Sequence, residues 1–290
     1  MIVHLIDGTY ELFRHFYGAR RGTQGQDSPS AAVVGVLGTV LQILESGATH
    51  IGVATDHVIE SFRNNLWSGY KTSAGMPEEL LAQFPLIEEA LVALGVTVWP
   101  MVDVEADDAL ASAAAALRDE EDVEQVRIHT VDKDLSQCVV GAQVVQVDRR
   151  KDVVLDEAGV IQKYGVAPES IPDWLALVGD SADGFPGIAG WGKATASSVL
   201  ARYPHLEEIP VDGLKWDVRV RGQVALARTL VENLKLVLLF RDLATLRTEP
   251  PVVGSADELR WNGPKPEFVA VCERVGAPNF VARAEALASR

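Results

Sequence analysis

The chain has 290 residues, 48% of them hydrophobic, and is therefore long enough to bury one large core or two smaller ones. No apolar run reaches the roughly 18 residues that a membrane span needs, and the N-terminus lacks the order of a signal peptide, so we expect a cytoplasmic protein without a membrane partner. The net charge of −15 argues against a protein that binds nucleic acid by overall charge alone. The two cysteines argue against a disulfide framework and against a thiolate zinc site.

The first half of the chain alternates apolar runs with helical patterns. Residues 2–6, 51–55 and 126–131 form short apolar runs that are typical of buried strands. Helical periodicity covers residues 30–45, 77–94 and 106–117 between them. This alternation predicts an α/β fold with a mostly parallel central sheet flanked by helices. In such sheets the functional crevice lies beyond the carboxyl ends of the strands.

From about residue 156 the pattern is mostly helical, with glycine-rich turns. Helices are predicted over residues 157–164, 171–178, 193–203 and 223–240. No Gly/Ser- or Pro-rich spacer separates them from the first half, so we expect no flexible linker. We therefore predict an α/β core over residues 1–155, a helical region over 156–250 and a C-terminal tail over 251–290 that packs on the core.

Acidic residues stand where the predicted strands end and the predicted helices begin. These positions are Asp7, Asp56, Glu105, Asp107, Asp108, Asp132 and Asp134. Taken singly, each is more often a turn residue or a helix cap than a ligand. Because the strands are predicted to be parallel, all seven fall on one edge of the sheet. So many like charges are costly together unless cations neutralise them.

A set of carboxylates without a required His or Cys favours Mg²⁺ or Mn²⁺ over zinc and indicates phosphate chemistry. Two such ions would activate a water, clamp a scissile phosphate and stabilise the leaving oxygen. Asp180 and Asp183 add two acids at the end of a predicted helix, but the predicted sheet does not determine where they lie. No Gly-x-Ser-x-Gly or P-loop pattern occurs in the sequence. This argues against the usual acyl-transfer enzymes and nucleotide hydrolases.

Several segments of the sequence resemble the 5′ nuclease or flap endonuclease family, in the bacterial branch formed by the nuclease domain of DNA polymerase I and its free-standing relatives. In the family's order they are IDGTYELFR, GVATD, ESFRNNLWSGYK, MPEELLAQFPLI, EADDALAS, TVDKDLSQCV, LVGDSADGFPGIAGWGKATA and LLFRDLATLRT, and they cover about residues 1–250. The resemblance implies a free-standing, PIN-like nuclease core with a helical arch at about residues 60–85. It also implies that Asp180 and Asp183 join the seven acids above as metal ligands.

The segment Gly187-Ile188-Ala189-Gly190-Trp191-Gly192 resembles the family's helix-hairpin-helix-like DNA-binding element. Gly187, Gly190 and Gly192 would let backbone N–H groups approach phosphates, and Lys193 would contact one. In the family this element often holds a K⁺ ion through backbone carbonyls. Without its neighbours, the segment would more often be a tight turn between two packed helices.

The resemblance also assigns two basic residues, Arg63 and Lys71, to the scissile phosphate as catalytic cations. Relatives usually carry a further basic residue soon after the Tyr-Lys pair, but here Tyr70-Lys71 runs into Thr72-Ser73-Ala74-Gly75. We expect the chemistry to be kept and the grip on a 5′ single strand to change.

Together these features predict a structure-specific 5′ nuclease of DNA replication and repair, a 5′-3′ exonuclease or flap endonuclease acting at flaps, nicks or gaps. The resemblance implies the RNA of RNA–DNA hybrids as a second substrate and a DNA polymerase as a partner, and we expect a monomer that acts on the nucleoid. Two alternatives stay open. A PIN-type ribonuclease is disfavoured by the chain length and the glycine-rich hairpin, and a catalytically weak protein that binds DNA junctions is disfavoured by the complete set of acids.

Overall fold

The computed structural model describes residues 1–23 and 28–289. Its strands, in chain order, are β1 Ile2–Asp7, β2 His50–Asp56, β3 Thr97–Met101, β4 Gln125–His129, β5 Val144–Asp148 and β6 Val153–Leu155. Its α-helices are α1 Gly8–Thr23, α2 Ala31–Glu45, α3 Arg63–Leu66, α4 Glu78–Leu81, α5 Gln83–Ala93, α6 Ala106–Leu117, α7 Glu157–Tyr164, α8 Ile171–Val178, α9 Lys193–Leu200, α10 Gln223–Glu232, α11 Leu234–Ala244, α12 Phe268–Val275 and α13 Asn279–Ala288. Within these described ranges, no helix combines the length and the apolar character that crossing a membrane requires.

The chain folds into two compact units, each assembled from separate stretches of sequence. Unit 1 consists of Met1–Ile59, Ser73–Thr130 and Thr248–Arg290, and unit 2 consists of Glu60–Thr72 and Val131–Arg247. The domain bounds expected at residues 155 and 250, and the arch expected at about 60–85, stay predictions.

Unit 1 is built around a parallel sheet with the strand order β3-β2-β1-β4. Every residue of β2 is buried, as is typical of a parallel strand that is covered on both faces. Asp7 of β1 lies opposite Ala54 of β2, so the two strands end at the same edge of the sheet. The predicted fold class, a mostly parallel sheet flanked by helices, is confirmed.

The apolar core of unit 1 joins the sheet to helices from both ends of the sequence. Leu12 of α1, Leu37 of α2 and Ile87 of α5 belong to it. Phe268 of α12 and Phe280 of α13 lie in the same core. The last helices of the described chain therefore stabilise the α/β unit in which the chain begins.

Unit 2 contains the antiparallel pair β5 and β6, the short helix α3 and the helices α7 to α11. Its core is rich in aromatic side chains, and Phe185 stacks on Phe240 with ring centroids 5.5 Å apart. Trp67 meets the Phe240 ring edge-on at 5.3 Å. These pairs tie the segment around α3 to α11 and to the loop that follows α8.

Two prolines account for two departures from the sequence prediction. The helix expected over residues 77–94 is two helices, because Pro85 has no N–H for the helical ladder and sits instead in the first turn of α5. The sequence did not predict β3, which contains Pro100. Since β3 is at one end of the strand order of unit 1, its missing donor is tolerated.

The helix expected over residues 223–240 is also divided, at Asn233. The backbone of Asn233 leaves the helical region, and its side-chain Nδ2 donates to the carbonyl of Thr229 at 2.8 Å. A short polar side chain that bonds the backbone in this way ends α10 before α11 begins.

Candidate metal centre

Three buried carboxylates of unit 2 form the tightest acidic cluster in the described residues. Asp134, Asp180 and Asp183 each offer one oxygen, and these oxygens all lie within 4.8 Å of one another. Asp134 begins the 3₁₀ helix Asp134–Cys138, and its N–H donates to Asp132 Oδ1 at 3.0 Å. We refer to the three carboxylates as the triad.

A tight loop after α8 presents the other two triad acids. The backbone N–H of Asp180 donates to the carbonyl of Phe185 at 2.8 Å, and the Phe185 N–H returns a bond of 3.0 Å to the carbonyl of Asp180. Ala182 N–H donates to Asp180 Oδ1 at 2.9 Å. Because the loop closes on itself, Asp180 and Asp183 are held on the same short turn.

The surroundings of Asp134 disfavour the charged form of its carboxyl group. Burial raises the pKa of Asp134 well above its usual range, and the neighbouring Asp132, Asp183 and Asp180 raise it further. Asp134 Oδ1 is buried and has no hydrogen-bond partner among the described residues. A buried carboxylate oxygen without a donor is costly, so the site fits a cation that would occupy that position.

Two lysines contact the triad from within unit 2. Lys71 Nζ lies 3.0 Å from Asp183 Oδ1, and Lys133 Nζ forms a short ion pair with Asp180 Oδ2. Burial lowers the pKa of Lys133, but the hydrogen bond to Asp180 and the nearby Asp134 outweigh it and raise that pKa. No role for Lys133 was predicted from the sequence, although its position between Asp132 and Asp134 was a usable signal.

The donor set of the triad is chemically simple. It offers carboxylate oxygens, with no sulfur or imidazole, and two ammonium groups face three buried acids. Hard divalent cations such as Mg²⁺ or Mn²⁺ take ligands of this kind. The residues present therefore fit a divalent ion.

The remaining acids of the predicted set, apart from Asp132, belong to unit 1. Asp7, at the end of β1, accepts hydrogen bonds of 2.8 Å from Thr130 Oγ1 and from the N–H of Tyr10. Asp56, at the end of β2, accepts a bond of 2.7 Å from the N–H of Ala106. Both carboxylates are buried at the carboxyl edge of the sheet, where the sequence predicted them.

Two of the acids at the start of α6 cap the N-terminus of that helix. Glu105 and Asp108 form a capping box, in which each side chain accepts a hydrogen bond from the other residue's backbone N–H. Both are buried, and Asp107 between them is half-buried. The cap explains why acids occur here. Metal binding by Glu105, Asp107 and Asp108 stays a prediction, as does the assignment of all nine acids to metal ions.

Arg63, which the sequence assigned to the scissile phosphate, is 1% exposed. Its Nε donates to the carbonyl of Leu243 at 2.8 Å and its Nη2 to that of Thr245 at 3.2 Å. These groups belong to the end of α11 and the residue after it. No local sequence pattern indicates this burial, because these two carbonyls lie 180 and 182 residues away from Arg63.

The glycine-rich hairpin lies against the turn that ends α8. Gly187 has φ +70°, and a Cβ placed there would lie 2.4 Å from the backbone N of Gly179. Gly192 precedes α9, and a Cβ there would meet nothing within 4 Å. Lys193 is exposed at the start of α9 and lines a cleft of about 370 Å³ together with Asp180. The hairpin and a triad acid therefore share one cleft.

Comparison with known proteins gives two family matches that together span residues 2–267. The description "5′-3′ exonuclease, N-terminal resolvase-like domain" matches residues 2–165, and "5′-3′ exonuclease, C-terminal SAM fold" matches residues 166–267. The helical character predicted for the second region agrees with this description.

Similar proteins include both long and short relatives. DNA polymerase I of Rhizobium leguminosarum is 34% identical over 274 residues, which are 90% of this chain and 26% of that protein. The chain thus spans about a quarter of the length of this relative. The 5′-3′ exonuclease of Buchnera aphidicola is 33% identical over 251 residues, which are 84% of this chain and 81% of that protein.

Solved structures with the same fold include the T5 5′-exonuclease with bound divalent zinc ions. It matches with a TM-score of 0.69 at 16% identity, over 99% of this chain and 98% of that chain. Flap endonuclease-1 of Methanococcus jannaschii matches with a TM-score of 0.58 at 15% identity, over 99% and 92% of the two chains. Identities this low establish the fold alone. The family matches and the Buchnera relative establish more, and on them the predicted resemblance is confirmed: the chain belongs to the 5′-3′ exonuclease family.

Proposed function

We propose that the chain is a divalent-metal-dependent 5′ nuclease that hydrolyses DNA phosphodiester bonds at flaps, nicks or gaps. The observation that carries the proposal is the buried triad of Asp134, Asp180 and Asp183. Like charges this close together require cations, and an all-oxygen set suits Mg²⁺ or Mn²⁺. The T5 5′-exonuclease, which shares the fold, binds divalent zinc ions. Membership of the family supports the same chemistry.

Nine acids would hold the ions in this proposal. They are Asp7, Asp56, Glu105, Asp107, Asp108, Asp132, Asp134, Asp180 and Asp183. Such ions, when bound, supply Lewis-acid activation of a water and of the scissile phosphate. The products carry a 3′-hydroxyl and a 5′-phosphate.

The chain's own cations complete the proposed site. Lys71 and Lys133 hold ammonium groups against triad acids, and these charges stabilise the negative charge that develops on a phosphate. Arg63 contributes by holding the segment that carries Lys71, since its guanidinium is buried. No separate general base is required among the side chains.

The glycine-rich hairpin is the proposed duplex-binding element. Gly187, Gly190 and Gly192 allow close approach of backbone N–H groups to phosphates, and Lys193 adds a positive charge at the start of α9. A K⁺ ion held by backbone carbonyls belongs to the same proposal. Its support is the left-handed backbone of Gly187 and Gly190, which turns the loop sharply.

The wider functional setting is also proposed. Residues 1–155 form the nuclease core, with an arch at about 60–85, residues 156–250 the DNA-binding region, and residues 251–290 a tail on the core. The RNA of RNA–DNA hybrids is a second substrate, and a DNA polymerase is a partner, which the fused polymerase relatives support. The protein acts as a monomer on the bacterial nucleoid in the cytoplasm.

A 5′-flap cleavage assay tests the proposal. The wild-type chain cuts near the base of the flap with Mg²⁺ or Mn²⁺ and does not cut in EDTA. Asp180→Asn reduces cleavage by about 10²–10³-fold, because it removes a triad carboxylate. Asp257→Asn, which neutralises an exposed carboxylate outside the site, leaves the rate unchanged. Equal activity of wild type and Asp180→Asn would refute the site.

Two competing functions are separated by the same assay. A PIN-type ribonuclease would cut a single-stranded RNA faster than the DNA flap. A junction-binding protein without useful catalysis would retain the flap tightly and release no metal-dependent product.

A further inference from the structure

The guanidinium of Arg63 already serves the end of a helix. Two carbonyls that accept hydrogen bonds from Arg63, those of Leu243 and Thr245, lie in and just beyond the last turn of α11. Helix C-termini leave carbonyls that need donors, and a cation suits the negative end of the helix dipole. With 1% of its surface exposed, Arg63 can reach a substrate only by giving up this cap.

A second guanidinium lies on the same aromatic ring. The guanidinium carbon of Arg63 is 4.6 Å from the ring centroid of Phe62, and that of Arg247 is 5.2 Å from it. The side chain of Arg247 is 42% exposed. Its Nη2 donates to Asp242 Oδ1 at 2.6 Å in a partly exposed ion pair, and ion pairs near the surface contribute little to stability. The accessible cation at this position is therefore Arg247.

The ring that carries Arg247 belongs to the same short segment as Lys71. Asn64, two residues after Phe62, donates from Nδ2 to the carbonyl of Lys71 at 2.9 Å. Lys71 in turn places its ammonium group on Asp183. The segment thus links the accessible guanidinium of Arg247 to the cation at the triad.

The sequence supplies a reason for a cation from elsewhere in the chain. After Lys71 come Thr72, Ser73, Ala74 and Gly75, where none carries a positive charge. Affinity for nucleic acid depends largely on how many phosphates Lys and Arg side chains neutralise. Arg247 is distant from Lys71 in the sequence. Its guanidinium nevertheless packs on the ring of Phe62, in the same short segment as Lys71.

We infer that Arg247 contacts a phosphate of the nucleic-acid substrate and that Arg63 is a positioning residue that holds α11 and the Phe62 ring beneath it. The inference rests on the proposed nuclease function and assigns an additional substrate contact to it. An arginine is suited to this contact because its planar fork matches phosphate oxygens.

The test measures binding of a 5′-flap DNA as a function of salt, with steady-state kinetics and melting temperature for each variant. Arg247→Ala lowers the slope of log affinity against log salt by about 1, as loss of one phosphate contact does. It raises KM about tenfold with kcat within about twofold, and the melting temperature is unchanged. Arg247→Lys recovers the salt slope because it keeps the charge.

Two further variants distinguish the two arginines. Arg63→Gln lowers the melting temperature and leaves the salt slope at its wild-type value, because its cation is buried on carbonyls. Arg274→Ala is the matched control, since Arg274 is a half-exposed arginine in an ion pair with Glu89. It changes neither the slope nor KM.

A wild-type salt slope in Arg247→Ala, or a slope lowered by Arg63→Gln instead, removes the assignment while the nuclease function stands. A wild-type chain that neither binds nor cuts the flap removes the proposed function, and the inference with it. The Arg247 variants carry the test even if Arg63→Gln does not fold.

Discussion

Lys71 Nζ lies 3.0 Å from Asp183 Oδ1, and the backbone N–H of Lys71 donates to the carbonyl of Asp183 at the same distance. The two residues are therefore joined by both side chain and backbone. This double contact fixes an ammonium group on a buried carboxylate of the triad. It ties the segment Glu60–Thr72 to the loop that carries Asp180 and Asp183 within unit 2.

Lys71→Met tests the catalytic part of this contact. The change keeps the aliphatic stem and the backbone bond but removes the charge, so we expect kcat on a flap substrate to fall about 100-fold. The buried Asp183 carboxylate loses a partner, which costs about 1–3 kcal/mol of folding free energy. Lys235→Met, at an exposed position on α11, serves as the control. Unchanged kcat in Lys71→Met would contradict a role for Lys71 at the phosphate.

Asp134→Asn separates stability from metal binding. Burial and three neighbouring acids oppose the charge on Asp134, so its removal relieves repulsion in the absence of divalent ions. We expect the melting temperature in EDTA to rise by about 2–4 °C, equivalent to roughly 1 kcal/mol. The stabilisation that Mn²⁺ gives to the wild type should shrink, as measured by thermal shift against metal concentration. A lower melting temperature in EDTA would show that Asp134 is not held under repulsion.

The glycine-rich hairpin offers a matched pair of substitutions. Gly187→Ala forces a side chain into a left-handed backbone and against the backbone of Gly179, Val178 and Leu177, so we expect a loss of about 2–4 kcal/mol of stability. Gly192→Ala meets no atom within 4 Å and has an ordinary backbone, so the fold should tolerate it. Urea denaturation measures both.

The same pair tests the proposed phosphate contact. If backbone N–H groups before α9 approach DNA closely, the added methyl group of Gly192→Ala weakens duplex binding although the protein is as stable as wild type. Duplex affinity equal to wild type would mean that this glycine only permits a tight turn.

His205 provides a pH-dependent contribution to stability in unit 2. Its Nδ1 lies 3.0 Å from Asp173 Oδ2, and this hydrogen bond is the main cause that raises the pKa of His205 above 6.5. Arg241 also contacts Asp173 and pairs with Glu207. Burial raises the pKa of Asp173. The hydrogen bonds from His205 and Arg241 favour the ionised carboxylate and offset only part of that rise.

The sign of the His205 effect follows from its raised pKa. The stabilisation from His205 is fully present at pH values below the pKa that His205 has in the unfolded chain. It is lost as the pH rises through the pKa that His205 has in the folded chain. We therefore expect the melting temperature of the wild type to be higher than that of His205→Gln. The difference should be largest at about pH 6 and should fade by about pH 8. Because the His205 side chain is 43% exposed, the difference should be small. A difference that grows toward alkaline pH would contradict the assignment.

Local patterns in the sequence were sufficient for much of this molecule. Runs of apolar residues that end in acids predicted β1, β2 and β4, because parallel strands buried on both faces need continuous apolar side chains. The helical period predicted α6, α7 and α8 with the bounds that the structure has. The edge on which Asp7 and Asp56 stand followed from the direction of the strands alone.

Tertiary structure alone decided which of the functional candidates are accessible and which meet. Asp134 and Asp180 are 46 positions apart in the sequence, and no local spacing indicates that a tight loop after α8 brings their oxygens together. Arg63 was predicted as a catalytic cation, but its guanidinium is buried on carbonyls that lie 180 and 182 positions away, whereas Arg247 on the same ring is half-exposed. Periodicity reports the conformation of neighbouring residues, whereas burial, pKa and access to a substrate depend on which distant segments pack against a side chain.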